Sequence, residues 1–183
     1  MSILNSNSSN FIFNFPKGWW HKSVMDKYDP YVRRMPIPYE TVEKYMAYAI
    51  QSVTFPTISM DIVTQTRNLG KRQDMKNSTP VQDLFNREVT ITFKTTEGHI
   101  NYFIMLENIL CYLNFGHEEM YLDEMYFRAL DAEGHVVTTV KYDKVFFKNL
   151  SEISLSYSDN NPDFKTFSVT LGFNTMSVFI EAT

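Results

Sequence analysis

Residues 150–173, with the sequence LSEISLSYSDNNPDFKTFSVTLGF, constrain the fold more than any other part of the chain. Apolar residues alternate with serine before residue 159, and with serine, threonine and glycine after residue 166. Between the two runs, residues 159–163 read DNNPD, a cluster of turn-forming residues. An apolar–polar period of two is typical of a strand with one face on a core and the other polar. The run therefore predicts two strands joined by a turn.

The same signals recur elsewhere, so the fold class is predicted to be mainly β with two helices. Residues 89–93 (VTITF) alternate in the same way, and residues 131–134 (DAEG) form a hairpin turn. Further strands are predicted at 11–15, 51–55, 58–64, 125–130, 136–141, 145–149 and 167–173. With 183 residues and no internal repeat, the chain is expected to form one domain at 11–183 behind a flexible tail at 1–10.

The N-terminal part of this domain is predicted to be an arm followed by a helix, together spanning 16–50. Residues 16–38 contain four prolines, a glycine and several aromatic residues, which indicates a loop that packs against the domain. Pro38 then opens a helix at 39–50, in which the apolar residues fall on one stripe.

A second helix is predicted at 98–113, with Thr96 as its cap. It is apolar nearly all round, and its few polar residues are Asn101, Glu107 and Asn108. A helix of this kind is covered on several sides. In a domain of this size, we expect a neighbouring subunit to provide part of that cover.

Composition excludes several classes of protein. The net charge is −4 and the 17 basic residues are scattered, whereas a protein that grips nucleic acid needs clustered cations to neutralise phosphates. No segment approaches the ~20 apolar residues that span a bilayer, and the N-terminus has no targeting pattern. Cys111 is the one cysteine, so an internal disulfide is excluded and a buried, inert thiol is expected. The chain is expected to be soluble, made in the cytoplasm, and free of membrane contact.

No motif indicates catalysis, a metal or a cofactor. Residues 117–119 (HEE) lack the i, i+4 histidine pair of a helical metal site, and 131–134 lack the ligand pattern of a calcium loop. Residues 70–72 (GKR) lack the second glycine and the Ser/Thr of a phosphate loop. No signature accompanies the four histidines, which are His21, His99, His117 and His135. The chain is therefore predicted not to be an enzyme and to bind no cofactor.

Two further features suggest contacts. Trp19 and Trp20 could stack on sugars or single strands, but packing or a subunit contact is favoured because no basic groove accompanies them. Together with Tyr45 and Phe103 they are predicted to be inter-subunit or core aromatics. Residues 67–83 (RNLGKRQDMKNSTPVQD) form a polar loop longer than compact domains usually contain unless it touches a partner.

The order of these segments resembles the tail tube proteins of contractile phages. The similarity lies in the strand–turn–strand run at 150–173, in SVTFPTI at 52–58, and in the polar loop that feeds the VTITF strand between 70 and 93. It covers about residues 48–176 plus the first strand.

This resemblance implies a subunit built as an antiparallel β-sandwich or barrel of the tail-tube type. Six copies of it would form a ring, with neighbouring sheets joined around a channel and rings stacked into a tube. The loop at 67–87 would reach the adjacent ring, with candidate stacking residues Leu69, Lys71, Arg72, Met75 and Phe85. Deleting 69–80 would then leave the subunit folded and abolish stacking. Implied partners are other copies of the chain and tape-measure, sheath or baseplate proteins, while double-stranded DNA passes without specific binding. The implied location is the tail of a virion.

Two features of this sequence differ from short tube proteins, and they bear on the position of the protein along the tail. Residues 16–47 are longer than the corresponding part of short tube proteins, and the acidic loop at 114–124 is extended. Such additions resemble specialised rings, such as a tube initiator at the baseplate, a tail hub or a connector. The main tube is the first interpretation and such a ring the second.

An alternative from another class is a monomeric β-barrel that binds a small ligand or glycan through Trp19 and Trp20. A hydrolase would require a histidine, a carboxylate and a nucleophile brought together in space.

Overall fold

The structure is a computed structural model that describes residues 10–57, 62–66, 72–76, 86–114, 121–153 and 165–181. In chain order the elements are β1 (Phe11–Asn14), α1 (Lys22–Val32), α2 (Val42–Tyr48), β2 (Ile50–Thr54), β3 (Ile62–Thr66), β4 (Arg72–Lys76), β5 (Glu88–Lys94), α3 (Ile100–Asn114), β6 (Met125–Leu130), β7 (Val136–Asp143), β8 (Phe146–Leu150), β9 (Thr166–Gly172) and β10 (Thr175–Ile180). A 3-10 turn (Glu97–His99) precedes α3.

The described strands form two four-stranded antiparallel sheets and one hairpin. Sheet 1 has the order β1-β6-β7-β10, and sheet 2 has the order β2-β5-β9-β8. Strands β3 and β4 pair only with each other. The antiparallel β prediction is therefore confirmed, and of its two alternatives the described strands form separate sheets rather than a closed barrel.

The strands follow from their period-two patterns. In β5, Val89, Ile91 and Phe93 are fully buried, whereas Thr90 and Thr92 between them are half-buried. The pattern continues across the sheet, where Phe93 stands opposite Phe167 and the two rings stack at 5.1 Å. Inward-facing residues of both sheets and of the helices form one continuous core. The predicted strands at 89–93 and 125–130 and the turn at 131–134 are confirmed.

The described residues contain three α-helices where two were predicted, because α1 lies inside the stretch predicted as a loop at 16–38. Pro30 is the reason for the error, since proline usually ends a helix. Here it falls in the last turn, where only one intrahelical bond is lost. The spacing of Val24, Tyr28 and Val32 at i, i+4 and i+8 was the available signal, and both valines are fully buried.

The predicted helix bounds also shift. Helix α2 begins after Thr41, which caps Lys44 N–H, rather than at Pro38, and it ends at Tyr48 rather than at residue 50. Helix α3 spans Ile100–Asn114 rather than 98–113. Thr96 makes no capping side-chain bond and instead contacts the Tyr45 hydroxyl at 2.6 Å. Within the described part of the chain, no helix is long and apolar enough to span a membrane.

Two strands were not predicted. Strand β4 lies within the segment predicted as the polar loop at 67–83, so part of that loop is one side of a β-hairpin with β3. The proposed deletion of 69–80 would therefore remove a strand as well as a connection. Strand β10 follows β9 closely and pairs with β7 over six residues. The predicted strand at 153–157 and the turn at 159–163 lie almost entirely outside the described residues.

Gly172 sets the distance between β8 and β9. It stands opposite Phe146, whose ring covers the glycine so closely that an added Cβ would lie 2.6 Å from Cε2 and 2.8 Å from Cε1. We expect Gly172→Ala to lower the free energy of unfolding by about 1–3 kcal/mol through overpacking. Chemical denaturation of the single variants and of Gly172→Ala/Phe146→Leu would measure this. Adding Phe146→Leu to Gly172→Ala should recover most of the lost free energy of unfolding. If the effects of the two substitutions were additive, the steric explanation would be contradicted.

Candidate subunit interface

The C-terminal strand β10 is an edge of sheet 1 with apolar side chains in solvent. Its sequence is TMSVFI, and its four large apolar residues are exposed to 37% (Met176), 55% (Val178), 52% (Phe179) and 76% (Ile180). Isolated exposed apolar residues are ordinary, but a contiguous group on a strand edge marks an interaction site or an aggregation hazard.

Three of these residues continue the buried face of the sheet. Met176 stands opposite Tyr142, Val178 opposite Val140, and Ile180 opposite Thr138. Tyr142 and Val140 are buried, at 0% and 7% exposure, and burial raises the pKa of Tyr142. Among the described residues, the apolar layer therefore extends one strand beyond the part of the sheet that other elements cover. The core-facing row of β10, namely Met176, Val178 and Ile180, needs another surface to complete it.

The other edge of sheet 1 is β1, and an open groove runs beside it. Ile12 points away from the core and is 44% exposed, whereas Phe13 faces inward and is buried. The groove has a volume of about 530 Å³. Its lining comes from β1, the end of α2 and the start of β2, and consists of Phe11, Ile12, Phe13, Ala47, Tyr48, Ile50 and Gln51.

The edges of sheet 2 differ. Strand β2 has a register shift between Ile50 and Ser52, and β8 has one between Phe147 and Asn149. Most of their exposed side chains are polar or charged, as with Lys148 and Asn149. Bulges and lysines are devices that stop an edge from pairing with another chain. Strands β1 and β10 have neither a register shift nor a charged residue.

The outer face of sheet 1, which points away from the core, carries the exposed apolar residues Ile12 and Phe179 together with charged side chains that contact neighbours. Lys141 Nζ lies 2.5 Å from Glu124 Oε1 and 3.2 Å from Asp143 Oδ1. The bond to Lys141, followed by one from the Tyr126 hydroxyl, lowers the pKa of Glu124, and the bond to Glu124 raises the pKa of Lys141. Arg128 donates to Asn14 Oδ1 at 3.0 Å. This face therefore has cations, but each is held by a neighbour on the same subunit.

Helix α3 has an inverted distribution of polar residues. Asn101 and Asn108 are fully buried, whereas Phe103 and Leu113 are 54% and 73% exposed. Asn108 accepts from His21 N–H at 2.9 Å and donates to the Trp19 carbonyl at 2.8 Å. Asn108 thus fastens the N-terminal arm to the domain. The apolar side of the helix, which a neighbouring subunit was expected to cover, is exposed at Phe103 and Leu113.

A second contact joins the arm to α3. Glu107 accepts from Lys27 Nζ at 2.8 Å and from the Tyr28 hydroxyl at 2.5 Å. These bonds, from Lys27 first and then Tyr28, lower the pKa of Glu107. Helix α1, missed from the sequence, is therefore held on α3 by an ion pair as well as by apolar packing.

The predicted aromatics fall into two groups. Trp19, Trp20 and Tyr45 are buried, at 1%, 7% and 4% exposure, whereas Phe103 is half exposed. The Trp19 ring packs 4.5 Å from Phe147 and 5.2 Å from Phe15. Neither indole presents a face to solvent, which removes the basis for a sugar-stacking platform.

The predicted stacking residues are only partly described. Arg72 and Met75 lie in β4, opposite Thr66 and Val63. Leu69, Lys71 and Phe85 lie outside the described residues, as do residues 117–119.

The remaining polar clusters have structural explanations. Asp131 accepts from the backbone N–H groups of Glu133 and His135 at 2.9 and 2.8 Å and so closes the β6–β7 turn. His21 Nδ1 contacts Ser23 Oγ at 2.7 Å while capping α1, and that hydroxyl lies 3.6 Å from Cys111 Sγ. These contacts are those of a turn cap and a helix cap.

Comparison with known proteins identifies the fold. No family model matches the chain, and no curated relative matches it. Several solved structures do match the chain. A chain of the PVC sheath-tube complex, an extracellular contractile injection system in its extended state, is similar with a TM-score of 0.51 and 12% identity over 98% of this chain and 94% of that one.

Two assemblies of the anti-feeding prophage show the same similarity. A chain of its six-fold symmetrised baseplate matches with a TM-score of 0.51 and 10% identity, over 98% of this chain and 97% of that one. A chain of its tube-terminating cap matches with a TM-score of 0.50 and 10% identity, over 99% and 95%. The protein therefore has a tail-tube-like fold, and the resemblance read from its sequence is confirmed at the level of fold.

Proposed function

We propose that this protein is a non-enzymatic structural subunit of a contractile-injection or phage-tail particle, in which copies associate edge to edge into a ring around a channel. One observation carries the proposal: the apolar layer of sheet 1 continues onto β10, where the described part of the subunit leaves it exposed. A surface of this kind is completed by another chain. Residues 11–183 act as one domain in this role.

The ring is proposed to contain six copies, in keeping with the six-fold baseplate that contains a similar chain. Four strands of sheet 1 from each of six copies would make a barrel of 24 strands. At about 4.8 Å between strands and a tilt of about 40°, its diameter is roughly 48 Å. Side chains narrow this opening, which still admits a DNA duplex or a tape-measure protein.

The channel wall is proposed to be the outer face of sheet 1. The bulk of each subunit lies on the other face of this sheet. In a closed ring, that bulk fits on the outside, where the circumference is larger, so the opposite face of the sheet would line the channel. The wall would then carry Lys141 already paired with Glu124 and Asp143. A wall whose cations are satisfied in place gives phosphates little to bind, which suits passage of DNA.

The proposal includes the main tube as the first position and a terminator, baseplate or hub ring as the second. The similar solved structures comprise a sheath–tube complex, a tube-terminating cap and a baseplate. Sheath and baseplate proteins are therefore proposed as partners, and the assembled particle as the location.

Size-exclusion chromatography and negative-stain electron microscopy of the purified full chain, over a range of concentrations, test this function. We expect rings, and stacked tubes if the protein belongs to the main tube. Rings that never stack would place it in a specialised ring. A protein that stays monomeric at the highest concentration reached would overturn the proposal.

A further inference from the structure

We infer that a pocket between the N-terminal arm and the start of α3 binds an arginine side chain of a partner protein. The pocket has a volume of about 570 Å³ and lies where the end of α1, the segment before α2 and the 3-10 turn come together. Ligand sites usually have volumes of about 300–1,000 Å³. This inference goes beyond the proposed function, because the pocket belongs to each single subunit and needs no ring.

Three tyrosines form the aromatic part of the pocket. Tyr45 is buried at 4% exposure, whereas Tyr31 is 52% exposed. The Tyr39 ring packs edge-on against Tyr45 at 5.4 Å. Burial raises the pKa of Tyr45, and the hydroxyls of Tyr39 and Tyr31 raise it further, so the three hydroxyls lie close together. Aromatic rings grouped around an open space attract a cation through the negative charge of their faces.

Glu97 adds a full negative charge to the same pocket. It is exposed, and it is the only charged side chain among the described residues that line the pocket. No described residue forms an ion pair with it, whereas Glu40 and Glu107 are each paired with a lysine. A cation on a partner would complete this charge, which makes the pocket complementary to a basic side chain.

The end of helix α3 does not account for the charge of Glu97. Gly98 and His99 separate Glu97 from the helix, and both have a positive φ, of 68° and 54°. The helix end is equivalent to about half a positive charge and acts along the helix axis, so it leaves much of the carboxylate charge uncompensated. A positive φ is unfavourable for histidine, and backbone strain of this kind is concentrated at ligand-binding sites.

Arginine matches this pocket better than lysine does. A guanidinium is planar and has five N–H donors, whereas an ammonium is a compact, strongly hydrated charge. The Glu97 carboxylate accepts hydrogen bonds, and the hydroxyls of Tyr31 and Tyr39 form none with another described residue, so they are available as acceptors. The planar group can stack on a tyrosine ring while its methylene stem packs against Met35 and Ile37.

The position of the pocket indicates a partner that is particular to this chain. Of the ten described lining residues, six lie between residues 31 and 45. That range is inside the stretch at 16–47, which is longer than in short tube proteins. A partner that inserts an arginine here would therefore distinguish this subunit from short tube proteins.

Binding of short peptides to the purified full chain tests the site. The probes are the peptide Gly-Ser-Arg-Ser-Gly and two versions with citrulline or lysine at the centre; citrulline has the shape of arginine without its charge. Saturation-transfer difference NMR detects weak binding to single subunits and to rings, and a titration gives each Kd. We expect the arginine peptide to bind at least about fivefold more tightly than the citrulline peptide and about twofold more tightly than the lysine peptide.

Substitutions in the pocket test which side chains bind the peptide. Glu97→Gln and Tyr31→Leu should each weaken binding of the arginine peptide by about twofold to fivefold, through loss of the charge and of a ring face. Both residues are exposed, so the fold is retained, and circular dichroism checks this. The matched controls, Glu43→Gln and Tyr121→Leu, change exposed residues that do not line the pocket and should leave the Kd unchanged.

Several results would contradict the inference. Equal binding of the arginine and citrulline peptides, or an unchanged Kd in Glu97→Gln, would overturn recognition of a cation. Equal binding of the lysine peptide would overturn the preference for arginine. If the arginine peptide did not bind, the site itself would be wrong. None of these results depends on ring formation, so the proposed function is tested separately by electron microscopy.

Discussion

Val178→Lys/Ile180→Lys is expected to abolish ring formation and leave a folded monomer. Both residues are more than half exposed in the isolated subunit, so the lysines are accommodated there without a cavity or a clash. In the ring the same positions would place two charges in an apolar layer with no counter-ion. An unpaired buried charge costs several kcal/mol, so each contact should weaken by at least about 100-fold. Sedimentation velocity at matched concentrations would measure the loss.

A matched control separates this effect from added charge. Thr54→Lys/Asn149→Lys also adds two lysines, one on each edge strand of sheet 2, at positions that are exposed. These edges are already interrupted by register shifts, and we expect the control to assemble normally. Circular dichroism and thermal unfolding should show both variants folded. If Val178→Lys/Ile180→Lys still formed rings, β10 would not be part of the contact.

The strands were the most predictable part of this fold. Residues 89–93 and 125–130 alternate cleanly because one face meets the core and the other does not. Strand β10 was missed because its exposed residues on both faces break that alternation: Val178 and Phe179 are neighbours, and both are apolar. The feature that concealed the strand, its exposed apolar residues, is the one on which the proposed interface rests.

The site could be predicted only in outline. The composition of helix 98–113 predicted that the helix has an uncovered apolar side. It did not predict the direction in which the polar residues of the helix point. Asn101 points inward because it binds the Lys94 carbonyl and Thr96 N–H nearby in the chain, whereas Asn108 binds the Trp19 carbonyl and His21 N–H far away in sequence. Contacts across 87 or 89 residues leave no local pattern. Edge position and register are likewise properties of sheet order, which a single sequence does not show.

Trp19→Ala is expected to cause the largest loss of stability of any single substitution considered for this protein. Trp19 is 1% exposed and lies between the rings of Phe15 and Phe147. Truncating a buried tryptophan costs about 3–5 kcal/mol, because it removes apolar contact and leaves a cavity. For a domain of this size the melting temperature should fall by roughly 10 °C. Chemical denaturation would give the change in the free energy of unfolding.

Two further variants decide between a core role and a binding role for this residue. Trp19→Phe should retain most of the stability, because the buried indole Nε1 has no hydrogen-bond partner among the described residues and its removal costs little. Tyr31→Ala, at a ring that is 52% exposed, should change the free energy of unfolding by less than about 1 kcal/mol. A glycan-binding module would behave in the opposite way: Trp19→Ala would keep its stability and lose sugar binding. That outcome would contradict the assignment of Trp19 to the core.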